Sequence, residues 1–359
     1  MLCLVSRLFL PQPSLPVLDS PSETYSLLCG QRQGFVVSAT VDGQRLDVAL
    51  SQLTAETRSQ IKVLIDEQRV WVNGLFKKAS YLVSAGERIE VLPLPAALTT
   101  TEPQDIPLEI LYEDDYLAAI NKPPGMVVHP APGQWSGTVA NALLFRWGWN
   151  DNADAFRPGI VHRLDKDTSG VLLVAKNRQI LERLSHAFKE RKVHKTYLAV
   201  AFGRLATASG TIELPIGRHP IDRKKMAVRA HGGRAALSRY RKVAETKTLS
   251  LLHLFPETGR THQLRVHLTA IGHPIVGDKV YGGGSRSVGV SDPLVQTFPR
   301  QALHAESIVL CHPLTGRDLT IRAPYPADVL SLLTLFPGST AELDPLLLPV
   351  DEKKEIDYH

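Results

Sequence analysis

The chain has 359 residues, 43% of them apolar and 21% charged, the balance of a soluble globular protein with ample core and room for two domains. No run is long and apolar enough to span a membrane. The three cysteines, Cys3, Cys29 and Cys311, form no CxxC or Cys/His cluster. That argues against a metal site and suits a reducing cytoplasm.

The start, MLCLVSRLFLPQPSLPVL, is apolar but lacks a charged region ahead of the apolar run, and Arg7 and three prolines interrupt it. Residues 1–34 read as a disordered extension or the product of a start codon placed too early. A compact segment, 35–94, follows. Leu46, Leu50 and Leu53 have helical spacing, and Thr57 suits the N-cap of a second helix carrying Ile61, Leu64 and Ile65. Gln68 to Asn73 has strand chemistry, Asn73-Gly74 is a turn signal, and a further strand runs from Glu87 to Leu92. Residues 95–107, rich in Pro and Thr, read as a linker.

From 108 to 337, short β runs mix with a few helices. The strand-like runs are Leu117–Asn121, Gly170–Ala175, Thr196–Ala201 and Ser238–Val243. NRQILERLSHAFKER carries Ile180, Leu181, Leu184 and Phe188 on one stripe. HQLRVHLTAIG reads as a helix with Thr261 as N-cap and Gly272 beyond its end. There is no regular strand–helix alternation, so a doubly wound parallel sheet is disfavoured. The expected class is α+β, a mainly antiparallel mixed sheet with flanking helices. Residues 338–359 read as a loose acidic tail.

The net charge of +5 hides its distribution. Arg157 to His267 holds 23 Lys and Arg against 8 Asp and Glu, while the remainder is net acidic. A polyanion is the natural partner of such a segment, although a solvated basic face has the same composition. Arg223-Lys224-Lys225 and Arg239-Arg241-Lys242 are the candidate phosphate contacts.

In RPGIVHRLDKDTSGVLLVAKN, residues 157–177, a polar turn lies between two apolar runs, where sheet-end sites are commonly built. A lone Asp there is usually a turn residue. HRLDxxTSG in its longer context, however, resembles the signature of the RluA/RluD family of pseudouridine synthases. Further stretches match in order: NKPPGMVVHP with GTVANALL, HKTYLAVAFG, ETGRTHQLRVHLTAIGHPIVGDKVYG and RQALHAESIVLCHPLTG. The resemblance covers roughly Arg45 to Pro324. The 35–94 segment is similar to the αL RNA-binding module of a ribosomal small-subunit protein, through Arg45-Leu46-Asp47, Arg58-Ser59-Gln60-Ile61, Val70 to Gly74 and Gly86-Glu87.

The resemblance implies a pseudouridine synthase fold behind a small α/β module. It also implies an RNA substrate, large-subunit ribosomal RNA first and transfer RNA second. Asp165 is the expected catalytic carboxylate, whether it attacks carbon or removes a sugar proton. Arg265 is the expected guanidinium beside it, in a bidentate pair that favours the charged form. Tyr197 is expected to stack on uracil and serve proton transfer near C5. Arg163 would enter the space a flipped base vacates, and Leu264 would pack against its ring. Arg58, Gln60 and Lys62 would face RNA from the module. His162, His262 and His267 read as structural hydrogen-bonders. Isomerisation needs no cofactor and no metal, and the chain has no P-loop. The expected enzyme is a cytoplasmic monomer. Two other readings stay open: a non-catalytic ribosome-assembly factor, which would lack one of Asp165, Tyr197 and Arg265, and a hydrolase of free nucleosides, which would not need the module.

Overall fold

A computed structural model describes residues 32–54, 56, 58–93, 101–130, 134–148, 158–222, 225–282 and 291–337. The chain divides into two compact units, Met1–Thr100 and Thr101–His359. Most of the expected N-terminal extension, the cap at Thr57, residues 95–100 of the linker and the tail 338–359 lie outside the described residues.

In the first unit, β1 (Gln33–Val36), β2 (Val70–Val72), β3 (Leu75–Phe76) and β4 (Arg88–Val91) form an antiparallel sheet in the order β1-β4-β2-β3. Helices α1 (Leu46–Leu53) and α2 (Arg58–Asp66) bury Leu46, Leu50, Ile61 and Leu64 in one core with Val70, Val72, Ile89 and Val91. Asn73 and Gly74 both have left-handed backbone, φ 50° and 77°, the conformation of a tight hairpin turn between β2 and β3. The strand β1 begins two residues before the expected edge of the segment at residue 35. Gln33 and Gly34 pair with Val91 and Glu90 through backbone alone, which leaves no apolar pattern to read.

In the second unit, nine strands form one sheet. They are β5 (Glu109–Glu113), β6 (Leu117–Lys122), β7 (Ser169–Ala175), β8 (His194–Phe202), β9 (Ser209–Glu213), β12 (Leu237–Glu245), β13 (Leu249–Pro256), β14 (Leu303–Cys311) and β15 (Asp318–Arg322). The order is β5-β6-β7-β14-β8-β13-β12-β9, with β15 on β14. Every pairing is antiparallel except β7 with β14. The strands β10 (Ile216–Arg218) and β11 (Met226–Val228) pair separately. The helices are α3 (Val139–Trp147), α4 (Arg178–Lys189), α5 (Gln263–Ala270), α6 (Pro293–Gln296) and α7 (Ala327–Leu333).

Both faces of the sheet are covered. Leu172 and Val174 of β7 join a core with Val139 and Leu143 of α3 and Val329 and Leu332 of α7. Val171 and Leu173, pointing the other way, join Ile180 and Leu184 of α4. A strand buried on both faces reads as an unbroken apolar run, hence GVLLVA. Two local expectations change. The cap of α5 is His262 in left-handed backbone, not Thr261, and its side chain caps nothing. The side-chain oxygen of Gln263 instead accepts from the Arg260 N–H at 3.0 Å and the Thr258 hydroxyl at 2.7 Å. The end of the expected linker is also docked: the Glu102 carbonyl accepts from Asn141 Nδ2 at 2.7 Å, and Gln104 Oε1 accepts from the Gly137 N–H at 2.7 Å. Composition cannot reveal such ties, because single side-chain amides make them.

Candidate active site

The sheet register brings the site together. Gly170 on β7 and Tyr197 on β8 both pair with Ala305 of β14 between them. Neighbouring strands lie about 4.8 Å apart, so the start of β7 stands two strand spacings from Tyr197. Gly170 has φ 110°, and a Cβ there would come within 2.1 Å of the Ala305 carbonyl oxygen, so only glycine allows this approach. The turn carrying Asp165 leads into β7. On its other side, Tyr197 pairs with Leu254 of β13, which runs on to α5 with Leu264 and Arg265.

Asp165, Tyr197, Arg265, Leu264 and Arg163 all line one cleft of about 630 Å³, within the range of small-ligand sites. Tyr197 and Leu264 are almost wholly buried, while Arg163 is exposed. Burial, and then the charge of Asp165, push the Tyr197 phenol above its ordinary value, so it holds its proton.

Arg265 Nη1 donates to Asp165 Oδ2 at 3.0 Å. The expected bidentate pair with Asp165 is not formed. The guanidinium fork goes to Asp278 instead, Nε to Oδ2 at 2.7 Å and Nη2 to Oδ1 at 2.8 Å. Asp278 has a fully buried side chain, and its Oδ1 also accepts the N–H groups of Val280 and Tyr281 at 2.9 and 3.0 Å. Gly277 ahead of it has φ 72° and packs so closely that a Cβ would lie 2.0 Å from the Arg300 carbonyl oxygen. Asp278 therefore fixes the arginine from behind and leaves one edge for Asp165. Burial opposes the Arg265 charge, but Asp278 and Asp165 outweigh it and raise the pKa above the ordinary arginine value. Burial likewise pushes the Asp278 carboxyl up, and the Arg265 hydrogen bonds and charge reverse this, leaving it lowered.

The turn bearing Asp165 is anchored residue by residue. Lys122 Nζ donates to the Lys166 carbonyl at 3.0 Å, Arg300 Nη1 to the Asp167 carbonyl at 2.9 Å, and Gln301 Nε2 to Thr168 Oγ1 at 3.2 Å. Arg300 is itself held in bidentate fashion by Asp328 at 2.7 and 2.9 Å. Lys122 is fully buried and also donates to the carbonyls of Pro123 and Met126. Burial draws its pKa down to about 7, against the pull of Asp167. The histidines are hydrogen-bonders. His162 Nε2 accepts from the Leu173 N–H at 2.8 Å, His262 Nδ1 meets the Tyr281 hydroxyl at 2.8 Å, and His267 spans Ser238 and the Leu214 carbonyl. Among the described residues, no group of three or more His, Cys, Asp or Glu side chains could hold a metal.

Residues 116–270 match the family described as RNA pseudouridylate synthase, and residues 44–89 match the S4 domain. The chain is 45% identical over 303 residues to the Escherichia coli protein named ribosomal large subunit pseudouridine synthase D, covering 83% of this chain and 92% of that one. The chain belongs to the RNA pseudouridylate synthase family. A protein of the same name from Xanthomonas campestris pv. campestris is 43% identical, with 83% of this chain and 91% of the relative covered. The solved structure of human RNA pseudouridylate synthase domain containing 4 aligns with a TM-score of 0.50 at 27% identity, covering 63% of this chain and 92% of that chain. The enzyme is thus an RNA pseudouridine synthase, an isomerase with an S4 domain at its N-terminus.

The other expected contacts fare unevenly. In the S4 domain, Arg58 donates through Nε to Asp47 Oδ2 at 2.8 Å, and Lys62 pairs with Asp66; both side chains stay more than half exposed. Gln60 is half-buried on the same helix. Of the candidate phosphate contacts, Arg241 is exposed with Nη2 3.3 Å from His253 Nδ1, and Lys242 donates to the Leu205 carbonyl and to Glu245. Arg239 pairs with Glu257, and Arg223 and Lys224 lie outside the described residues. Sequence reading missed Asp278, Lys122 and Arg300. The signal for Asp278 was Gly277 before it, in the same stretch as Arg265.

Proposed function

We propose that this enzyme isomerises chosen uridines of large-subunit ribosomal RNA, with Asp165 as the catalytic carboxylate. The observation that carries this reading is the meeting of Asp165, Arg265 and Tyr197 in one cleft, with 3.0 Å between the guanidinium and the carboxylate. The C1′–N1 bond of the uridine breaks, a C1′–C5 bond forms, the C5 proton leaves and N1 gains one. Atoms and electrons balance within the nucleotide, so no cofactor is called for. A carboxylate beside C1′ serves either route, attack on carbon or removal of a sugar proton. Arg265 orients that carboxylate, and Asp278 orients Arg265.

Tyr197 stacks on the extruded uracil and offers its hydroxyl near C5; burial keeps it a phenol. Leu264 packs against the ring. Arg163, exposed at the cleft, fills the space the base leaves in its stack, where extrusion costs a few kcal/mol. Arg58, Gln60 and Lys62 on α2 contact RNA from the S4 domain, supported by the exposure of the two cations. The name of the relatives points to the large ribosomal subunit. The enzyme is proposed to act as a monomer, and a ribosomal RNA substrate suits the cytoplasm.

The test is pseudouridine mapping of total RNA from a strain lacking the gene, with and without complementation. Sites in large-subunit ribosomal RNA should disappear and return. Loss confined to transfer RNA would reassign the substrate, and an unchanged map would overturn the proposal.

A further inference from the structure

Three arginines gather in the wall of the cleft, which Glu257 and Asp165 also line. Arg191 follows α4, Arg234 precedes β12 and Arg260 precedes α5, yet all line the cleft that holds Asp165. Arg260 Nε donates to the Ala235 carbonyl at 3.1 Å, which ties its segment to the one bearing Arg234. Arg191 and Arg234 are exposed, and their side chains have no ion pair among the described residues. Burial, followed by the positive charges of Arg234 and Arg191, lowers the Arg260 pKa. The charges of Arg234 and Arg191 thus act on Arg260 across the cleft wall. Arg191 also sits in left-handed backbone, φ 59°, a conformation that L side chains rarely adopt. Glu257 in the same lining pairs with Arg239 at 3.5 Å; an anion in the cleft would offset the positive charge that remains.

We propose that Arg191, Arg234 and Arg260 form a seat for the RNA backbone phosphates that flank the flipped uridine. This rests on the cleft being the uridine site, as argued above. A planar guanidinium matches two phosphate oxygens at once, and phosphate contacts set position and register without reading sequence. The seat shares the cleft with Asp165, so the phosphates it holds lie on the target nucleotide or its neighbours. It follows that a chain with phosphates on both sides of the uridine is bound far better than the free nucleoside.

The experiment is equilibrium binding of a large-subunit ribosomal RNA fragment across a salt series. The proteins are the full-length wild type, the double variant Arg191→Ala/Arg234→Ala, its Arg→Lys counterpart, and Lys247→Ala. Lys247 lies in the β12–β13 turn, at the opposite end of β12 from Arg234. Each lost phosphate contact should lower the slope of log affinity against log salt by about 0.7–0.9. The Ala double variant should thus lose about 1.5 in slope and bind about tenfold or more weaker. The lysine pair should keep the slope, and Lys247→Ala should match the wild type. Wild-type slope and affinity in the Ala double variant would overturn the phosphate seat. Pseudouridine formation by the wild type in the same fragment reports separately on the reading beneath it: its absence would sink that reading, and its presence beside an unchanged slope would sink the seat alone.

Discussion

Replacing Asp278 by Asn removes a charge that never touches the cleft, and the arrangement around Arg265 says what should follow. Asp278 has no exposed side-chain surface, and it holds Arg265 through hydrogen bonds of 2.7 and 2.8 Å. Asn keeps the shape and one acceptor but turns an NH₂ toward the guanidinium. Removing one partner of a buried ion pair costs about 3–5 kcal/mol. Asp165, 3.0 Å from Arg265 Nη1, remains to compensate in part, so a loss of about 3 kcal/mol is expected. In a unit of this size that is a fall of roughly 6–12 °C in Tm. With its fork released, Arg265 no longer holds one orientation at Asp165, and single-turnover pseudouridine formation should fall about 100-fold. The assays are thermal unfolding and single-turnover kinetics on one RNA fragment, with Asp165→Asn beside it. Asp165 keeps some solvent exposure and makes a single bond to Arg265, so that change should cost less stability than Asp278→Asn. An Asp278→Asn enzyme with wild-type Tm and rate would refute the positioning role.

Lys122→Met leaves the carbonyls of Pro123, Met126 and Lys166 without their donor. Denaturant unfolding should show a loss of about 2–4 kcal/mol and the rate should drop, because Lys166 adjoins Asp165; an enzyme unchanged in both would contradict the anchoring role. Tyr197→Phe keeps the stacking ring, worth about 1–3 kcal/mol per base, and loses the hydroxyl. RNA affinity should hold within a few-fold while turnover falls, and unchanged turnover would remove the hydroxyl from the chemistry. His162 has a pKa pulled by burial to about 3, against 6.5 in the unfolded chain. The unfolded state therefore takes up the proton first, and stability falls as pH drops through 6.5. Between pH 7 and 5 this group contributes a loss of about 2 kcal/mol that a His162→Gln enzyme lacks. Parallel urea curves for the two proteins at both pH values would contradict it.

The parts of the site legible in the sequence were those whose chemistry is local. The Asp165 turn lies between two apolar runs, the second of them β7 and the first joined to it by the single bridge Ile160–Val174, and the stripes of α4 and α5 fix where helices pack. Even the left-handed turn at Asn73-Gly74 is written in two residues. What was not legible is what long-range pairing decides. Gly170 and Tyr197 are joined through Ala305, more than a hundred residues further on. Arg265 was given the wrong bidentate partner because two carboxylates compete for one fork, and only the fold places Asp278 nearer its Nε edge. Arg300 and Lys122 escaped notice because a buried cation satisfied by carbonyl oxygens leaves no pattern of residue types.

The role of the carboxylate at position 165 is tested most directly by single-turnover pseudouridine formation with purified Asp165→Asn enzyme on a ribosomal RNA fragment that the wild type modifies, with RNA affinity measured alongside. The expected result is no pseudouridine and an affinity within a few-fold of wild type. Pseudouridine formed by the variant would contradict the assignment.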